Sequence, residues 1–259
     1  MILGKNIEFS YNEDKDFIKE LNITIPKGKI TTILGPNGSG KSTLLSLLCG
    51  VNKVKNGEIL IDNLNINKMK FKDIARKVAT VHQQNSVPQD ISVGDLISYG
   101  RIPHKKLFEK ENQKDVEIIE WAIECTNINK YKDYKVMDLS GGERQRVFIS
   151  MALAQMPEVL FLDEPTTYLD IYHQIEILEL VKKINKDLNM TIVMVLHDIN
   201  QAIKYSDNII VMKEGKLINS GDAKNIITKE LLKEVYKVDG IINTIENETY
   251  FIPTKSFTA

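Results

Sequence analysis

Cysteine is scarce in this sequence of 259 residues. Only Cys49 and Cys125 occur, and they do not form a C-x-x-C pair. Two such cysteines exclude a disulfide framework and a cysteine-rich zinc site. We therefore expect a chain that works in a reducing compartment.

Long apolar runs and net charge are lacking too. No stretch of about 18 apolar residues occurs, and the N-terminal residues include charges before any apolar core of the secretory type. We expect a chain that is neither exported nor membrane-spanning by itself.

The 34 Lys and Arg nearly balance 35 Asp and Glu. This balance supplies no overall field to attract nucleic acid, so we expect no nucleic-acid partner.

What is present is an ordinary globular composition, with 42% hydrophobic and 27% charged residues, which excludes general disorder. Apolar and polar residues alternate at 7–9, 21–25 and 59–61, which predicts strands. The apolar run at 30–34 ends at a glycine, as expected for a strand buried on both faces.

A helical pattern follows from about 92 to 156, and then an apolar strand at 159–162. A further helix leads to another apolar strand at 192–196. Strand, helix and strand in this order predict a parallel βαβ unit. The stripe of that helix comprises Ile171, Ile175, Leu178, Val181, Ile184 and Leu188. A helix near 231–236 and a polar-interrupted tail extend the same domain.

A glycine-rich segment lies between the predicted strand 30–34 and a predicted helix, and it matches G-x-x-x-x-G-K-[ST]. In such a loop the backbone N–H groups and the helix dipole bind a polyphosphate, the lysine reaches the β and γ phosphates, and the following serine binds Mg²⁺. The alternative interpretation is a purely structural turn. The segment consists of Gly35, Pro36, Asn37, Gly38, Ser39, Gly40, Lys41, Ser42 and Thr43.

Two adjacent carboxylates follow the apolar strand 159–162. The carboxyl ends of strands are where open α/β sheets bind their ligands. Asp163 suits a Mg²⁺ ligand, and Glu164 is then the candidate general base for attack on the γ phosphate. Taken alone, such a pair is also typical of a helix cap or turn.

A second glycine turn precedes a helical run and predicts a second anion site at a helix start. It consists of Ser140, Gly141, Gly142 and Glu143. With these motifs in this order, the chain resembles the nucleotide-binding subunits of ABC transporters over almost its whole length. In many members a glutamine stands where this sequence has Glu143.

The resemblance implies further roles. Tyr11 matches the aromatic residue that stacks on adenine, and His197 matches the histidine that contacts the γ phosphate. Gln83 matches the glutamine that links the metal and the attacking water, although Gln84 remains an alternative. The segment 168–170, which ends at Asp170, resembles the loop that crosses between subunits. The implied Mg²⁺ ligands are Ser42, Gln83 and Asp163, and the implied cofactors are ATP and Mg²⁺.

The family also implies a fold. We expect an α/β P-loop NTPase of the ABC ATPase type, with a parallel sheet, an antiparallel β subdomain and an inserted helical subdomain. Residues 1–84 and 158–259 would form the core and the antiparallel subdomain, and 85–157 the helical subdomain of a single ABC ATPase domain, 1–259.

The partners are likewise implied by the family. We expect a homodimer with composite ATP sites, bound peripherally at the cytoplasmic face of the cell membrane to integral permease subunits. The helical subdomain next to Gln83 would dock the permease, and an extracytoplasmic substrate-binding protein would act indirectly.

The segments 164–174, 139–149 and 197–202 resemble those of ATPases that drive the import of iron(III)-siderophores, which favours this branch of the family. Haem or cobalamin import and a soluble non-transport ABC ATPase remain alternatives. A P-loop GTPase would need an Asn-Lys-x-Asp guanine reader, which neither 129–132 nor 185–188 supplies.

Overall fold

The computed structural model describes residues 1–11, 17–106, 109, 112–246 and 248–257. They fall into two compact units. The first unit comprises Met1–Lys68 and Thr191–Ala259, and the second comprises Met69–Met190. No helix among the described residues is both long enough and apolar enough to cross a membrane.

The strands, in chain order, are β1 (Ile2–Phe9), β2 (Ile18–Ile25), β3 (Ile30–Leu34), β4 (Asn56–Ile61), β5 (Leu64–Asn65), β6 (Val78–Val81), β7 (Val159–Asp163), β8 (Thr191–Val195), β9 (Asn208–Lys213), β10 (Lys216–Asp222), β11 (Val238–Ile245) and β12 (Glu248–Ser256). The α-helices are α1 (Lys41–Leu48), α2 (Phe71–Ala75), α3 (Val93–Ser98), α4 (Gln113–Cys125), α5 (Gly141–Ala154), α6 (Ile171–Leu188), α7 (Ile199–Tyr205), α8 (Ala223–Ile226) and α9 (Lys229–Tyr236). Short 3₁₀ turns lie at Ile66–Lys68, Tyr99–His104, Asn129–Tyr131 and Val136–Asp138.

The first unit contains an antiparallel sheet in the order β2-β1-β4-β5. Ile2 on β1 lies opposite Ile25 on β2 and Ile61 on β4, and all three side chains are buried. The alternation in the sequence therefore places one apolar face of this sheet in the core. The strands predicted at 7–9, 21–25 and 59–61 are confirmed.

The same unit holds the parallel strands that carry the glycine-rich loop. β3 pairs in parallel with β8 and with β9, and β10 runs antiparallel to β9. Every residue of β3 is buried, as predicted for a strand covered on both faces. Parallel pairing brings the carboxyl ends of β3 and β8 to one edge.

The C-terminal tail forms a β-hairpin, which the sequence pattern did not predict. β11 pairs with β12 in an antiparallel ladder, and Phe251 is buried. Asn200 on α7 fixes the backbone of Phe251: the Asn200 amide donates to its carbonyl at 3.1 Å and accepts from its N–H at 2.7 Å. Polar residues interrupt both strands, so period-two alternation is weak there.

The second unit combines two parallel strands with helices. β6 pairs with β7 from Val78 opposite Val159 to Val81 opposite Leu162. The helical character predicted for 92–156 is confirmed by α3, α4 and α5. Because this unit also contains β6, β7 and α6, its bounds differ from the predicted subdomain 85–157, which stays a prediction.

A buried ion pair fastens the helices of the second unit. Arg101 Nε donates to Asp115 Oδ1 at 2.9 Å, and the two side chains are only 6% and 5% exposed. Arg101 Nη1 also donates to the carbonyl of Ala154 at the end of α5, at 2.7 Å. The charges are thus paired and hydrogen-bonded, which burial requires.

The predicted apolar stripe of α6 is only partly correct. Ile171 and Ile175 at the start of the helix are exposed, and so is Leu188 at its end. Only the middle of α6 packs against the unit's core, so the flanking apolar residues of the stripe lie outside it. The buried residues are Ile177, Leu178, Leu180, Val181 and Ile184.

Candidate functional site

The glycine-rich loop connects β3 to α1 in the first unit. Gly35, Gly38 and Gly40 have φ of 153°, 76° and 100°, a region that favours glycine. A Cβ on Gly35 would lie 2.3 Å from the carbonyl oxygen of Met212. The backbone path itself therefore requires glycine, and it leads directly into the N-terminus of α1.

Lys41 directs its ammonium back into this loop. Its side chain is 6% exposed, and Nζ donates to the carbonyls of Gly35 and Pro36 at 2.9 and 3.1 Å. The Ser39 hydroxyl is buried and has no hydrogen-bond partner among the described residues. A buried cation and an orphaned hydroxyl within a turn of N–H groups form a donor set that fits a polyphosphate. Exposed Ser42 follows on α1.

Tyr11 lies beside the same loop. Its hydroxyl is 2.5 Å from Thr43 Oγ1 on α1, and its ring contacts Phe9 edge-on with centroids 4.9 Å apart. The ring is nevertheless largely exposed. An exposed aromatic face fixed to α1 is suited to stack on a planar base.

His197 follows β8 in the first unit and is exposed. The next residue, Asp198, caps α7 by accepting a hydrogen bond from the Gln201 N–H at 2.8 Å. The cap fixes the chain direction just after the histidine. His197 thus lies at the carboxyl end of a parallel strand, the usual position of ligand-contacting residues in such sheets.

In the second unit, Asp163 is the last residue of β7 and Glu164 follows it. Glu164 adopts a left-handed backbone with φ of 51°. Its Oε2 accepts hydrogen bonds from Gln83 Nε2 at 2.7 Å and from Thr167 Oγ1 at 3.0 Å. A strained backbone and two donors therefore hold this carboxylate in one orientation.

Of the two neighbouring glutamines, Gln83 is the one that reaches Glu164. Gln83 and Glu164 line a cleft of about 270 Å³ that also contains Gln84, Gly141 and Leu169. The sequence analysis did not identify Thr167 as a hydrogen-bond partner of Glu164. A threonine three residues after a carboxylate commonly forms such a hydrogen bond in local turns.

The glycine turn at 140–142 starts α5 with a capping box. Ser140 Oγ accepts from the Glu143 N–H at 3.3 Å, and Glu143 Oε2 accepts from the Ser140 N–H and hydroxyl at 2.9 and 2.7 Å. Tyr131, another residue that the sequence did not reveal, donates its hydroxyl to Glu143 Oε1. This Tyr131 hydrogen bond, helped by Ser140 and opposed by burial, lowers the pKa of Glu143.

The segment 168–170 lies at the start of α6. Tyr168 has φ of 66° and is 82% exposed. Asp170 caps α6, because its Oδ1 accepts from the His173 N–H at 2.9 Å. Asp170, predicted to belong to the loop that crosses between subunits, therefore forms a hydrogen bond within its own chain. The Tyr168 side chain projects into solvent.

Three of the candidate residues carry the kind of oxygen ligand that Mg²⁺ takes together with a phosphate. Among the described residues no group of three or more His, Cys, Asp and Glu side chains is arranged to hold a metal. Mg²⁺ commonly takes one or two protein oxygens and completes its shell with phosphates and water. The hydroxyl of Ser42, the carboxylate of Asp163 and the amide oxygen of Gln83 have the required chemistry.

Comparison with known proteins identifies the class. Residues 18–167 match the family described as ABC transporter. The chain therefore belongs to the ABC transporter family, and it is an ATPase of that family, which binds ATP. Its fold agrees: the dimeric bacterial cassette MJ0796 superposes with a TM-score of 0.74 at 28% identity, covering 87% of this chain and 100% of that one. The ADP conformation of the cassette MJ1267 gives 0.82 at 25% identity, covering 91% and 98%.

The more similar relatives carry names from iron uptake. The iron(3+)-hydroxamate import ATP-binding protein FhuC of Bacillus subtilis is 46% identical over 89% of this chain and 86% of its own length. The petrobactin import ATP-binding protein FpuC of Bacillus anthracis is 41% identical over 98% and 93%. The ferric enterobactin transport ATP-binding protein FepC of Escherichia coli is 41% identical over 84% and 80%.

Proposed function

We propose that this chain is the ATP-hydrolysing subunit of an importer that takes up an iron(III)-siderophore-type chelate through a separate membrane permease. The observation that carries the ATPase part is the oriented Glu164 carboxylate, held by Gln83 and Thr167. The cargo rests on the names of the relatives, which refer to iron(3+)-hydroxamate import, petrobactin import and ferric enterobactin transport. Haem or cobalamin is the alternative cargo.

Each group of the site has a defined task in this proposal. Lys41 and the loop N–H groups bind the β and γ phosphates, and Glu164 accepts a proton from the attacking water. Gln83 orients that water and the carboxylate, and His197 contacts the γ phosphate. Mg²⁺, held by Ser42, Asp163 and Gln83, would neutralise charge on the phosphates.

The second copy of the chain is expected to complete each site. The turn at 140–142 presents exposed Ser140 and Gly141 at the N-terminus of α5, where the helix dipole favours an anion. Exposed apolar side chains stand nearby at the start of α6, namely Tyr168, Ile171, Tyr172 and Ile175. Such a patch beside an anion site is suited to a protein interface. In the dimer, the turn at 140–142 would meet the phosphates bound by the other copy, and the apolar patch would pack against that copy.

A groove of about 620 Å³ in the second unit is the proposed docking surface for the permease. Its apolar lining includes Phe71, which is 73% exposed, and Ile102. Lys72, Lys105 and Lys106 line the same groove together with a single carboxylate, Glu109, so its charge is mainly positive. An apolar groove with cationic sides suits a short amphipathic helix bearing acidic residues. The chain would thus work peripherally at the cytoplasmic face of the membrane, with the substrate-binding protein acting indirectly on the far side.

Composite sites can be tested with pairs of differently tagged copies purified together. Lys41→Ala and Ser140→Ala should each inactivate the homodimer. A mixed dimer of the two variants retains one complete site, so it should regain up to about half of the wild-type ATPase rate, measured as phosphate release. If activity stays absent in the mixed dimer, the sites are not composite.

Transport is tested in proteoliposomes that contain the chain and the permease that copurifies with it. We expect ATP-dependent uptake of radioactive iron as a ferric hydroxamate, delivered by the cognate binding protein. Haem and cobalamin serve as competing cargoes. Uptake of either one in place of the iron chelate would contradict the proposed cargo, and copurification with nucleic acid instead of a permease would favour a non-transport ABC ATPase.

A further inference from the structure

A cluster of polar side chains joins α5 to α6 behind the glycine turn at 140–142. Its centre is the carboxylate of Glu176 on α6. Arg146 Nη2 on α5 lies 3.2 Å from Glu176 Oε1, and the Tyr172 hydroxyl donates to the same oxygen at 3.1 Å. His173 Nδ1 lies 3.4 Å from Oε2. We call these four residues the Glu176 cluster.

Arg146 extends the cluster to a third helix. Its Nη1 donates at 3.2 Å to the carbonyl of Thr126, a fully buried residue at the C-terminal end of α4. The planar guanidinium can point different N–H groups at a carboxylate and a carbonyl at the same time, which a lysine cannot do in this geometry. One side chain therefore links α4, α5 and α6.

The backbone of the glycine turn lies against side chains from the start of α6 at the same place. A Cβ on Gly142 would lie 2.7 Å from ring atoms of His173, and a Cβ on Gly141 would lie 3.1 Å from Leu169 Cδ2. The glycine turn thus rests directly on the start of α6. Because the His173 ring lies directly against Gly142, a rotation of α6 that moves this ring would also displace the turn.

Glu176 remains ionised in this setting. Partial burial acts to raise its pKa, but the charge of Arg146 and the hydrogen bonds from Tyr172 and His173 outweigh burial and hold the pKa below its ordinary value. The side chains of Arg146 and Glu176 are 16% and 33% exposed, so the pair is partly shielded from water.

We propose that Glu176 is a positioning residue that holds the glycine turn 140–142 and the segment 168–170 as one rigid body. Both segments then meet the ATP bound by the second copy in a fixed register. In this role Glu176 acts through Arg146 and His173 and not by contact with the reacting atoms. This inference rests on the composite sites of the proposed function.

The test replaces Glu176 by glutamine, which keeps its shape and removes the charge. Glu179→Gln is the matched control, since Glu179 is an exposed carboxylate on the same helix. We expect Glu176→Gln to lower kcat for ATP several-fold with little change in ATP affinity, whereas the control keeps the wild-type values. An equal loss in both variants, or none in Glu176→Gln, would overturn the proposal.

The location of the defect separates positioning from general destabilisation. If Glu176 serves the second copy's ATP, a mixed dimer of Lys41→Ala and Glu176→Gln copies has one intact site and hydrolyses ATP. A dimer of a wild-type copy with a Lys41→Ala/Glu176→Gln double variant has none. The opposite pattern would show that Glu176 serves its own subunit's site, and equal rates would show a general structural role; either result overturns the inference.

The Lys41→Ala and Ser140→Ala mixture calibrates this experiment. Failure of that mixture contradicts the composite sites themselves, whereas its success together with a misplaced Glu176 defect contradicts only the positioning role. Arg146→Lys supplies a second variant that retains the charge. It should reproduce the kcat loss, because lysine cannot hold Glu176 and the Thr126 carbonyl together. Wild-type kcat in Arg146→Lys would contradict the proposed linkage.

Discussion

The two units hold their candidate residues in different ways. In the first unit the glycine-rich loop is specified by its backbone, with three glycines at positive φ and the Lys41 ammonium bonded to carbonyls of its own loop. In the second unit the functional groups depend on bonds between side chains, such as Gln83 to Glu164 and Tyr131 to Glu143. The loop is therefore complete within one short segment, whereas the second unit needs residues distant in sequence.

The largest effect is expected in the second unit, from Glu164→Gln. ATP binding should persist because Lys41 and its loop are unchanged, while turnover should fall by about 10² to 10⁴-fold through loss of the general base. Phosphate release and nucleotide binding, measured on the same sample, check this, and the dimer should be trapped with ATP. Glu179→Gln is the control. Full hydrolysis by Glu164→Gln would remove Glu164 from its role.

Arg101→Met should mainly affect stability. It leaves Asp115 as an unpaired buried charge, which costs about 3–5 kcal/mol. The midpoint of urea unfolding should fall, and adding Asp115→Leu should restore part of the loss. Lys135→Met removes the partner of Asp90 from an exposed pair in the same unit, and it should change the midpoint much less. Equal shifts would show that burial is not what makes the Arg101 pair important.

Lys41→Ala tests the backbone-defined loop of the first unit. Losing a charge-assisted contact of about 1.5–3 kcal/mol should weaken ATP binding roughly 10- to 150-fold. Equilibrium titration with a fluorescent ATP analogue measures it, and Lys53→Ala, an exposed lysine of the same unit, is the control. Unchanged affinity would count against this loop as the phosphate site.

The smallest effect is expected from Tyr131→Phe, because the Glu143 carboxylate is partly exposed and keeps its bonds from Ser140. Solvent screening reduces the lost hydrogen bond to about 0.5–1.5 kcal/mol. Because the pKa of Glu143 is lowered in the folded chain, the stabilisation is fully present above the unfolded value of about 4.3 and is lost as the pH falls through the folded value. The stability difference from wild type should therefore disappear in acid. Tyr134→Phe is the control, and a difference independent of pH would contradict this origin.

Much of the fold was predictable because strong local patterns decide it. The strand at 30–34 is an unbroken apolar run, and the glycines after it are needed for a backbone that no other residue adopts easily. Tertiary effects decided the rest. The first residues of the α6 stripe are exposed because an amphipathic pattern does not state where the core ends, and the C-terminal hairpin was missed because polar residues interrupt it.

The site shows the same division. The chain positions of Lys41, Asp163 and Glu164 follow from motifs, and their roles stay predictions. The hydrogen bond from Thr167 could have been predicted, because Thr167 lies three residues after Glu164, a spacing typical of local side-chain hydrogen bonds. Tyr131 is twelve residues from Glu143 and belongs to a separate turn, so no pattern in the sequence relates the two. Contacts of this kind arise only from the packing of elements.

The attachment of Phe251 to Asn200 has a practical consequence. α7 begins two residues after His197, and the Asn200 side chain on α7 forms two hydrogen bonds with the backbone of Phe251 on β12. Deletions or bulky fusions that pull β12 away would loosen the short helix next to the histidine. Purification tags are therefore better placed where they exert no tension on this strand.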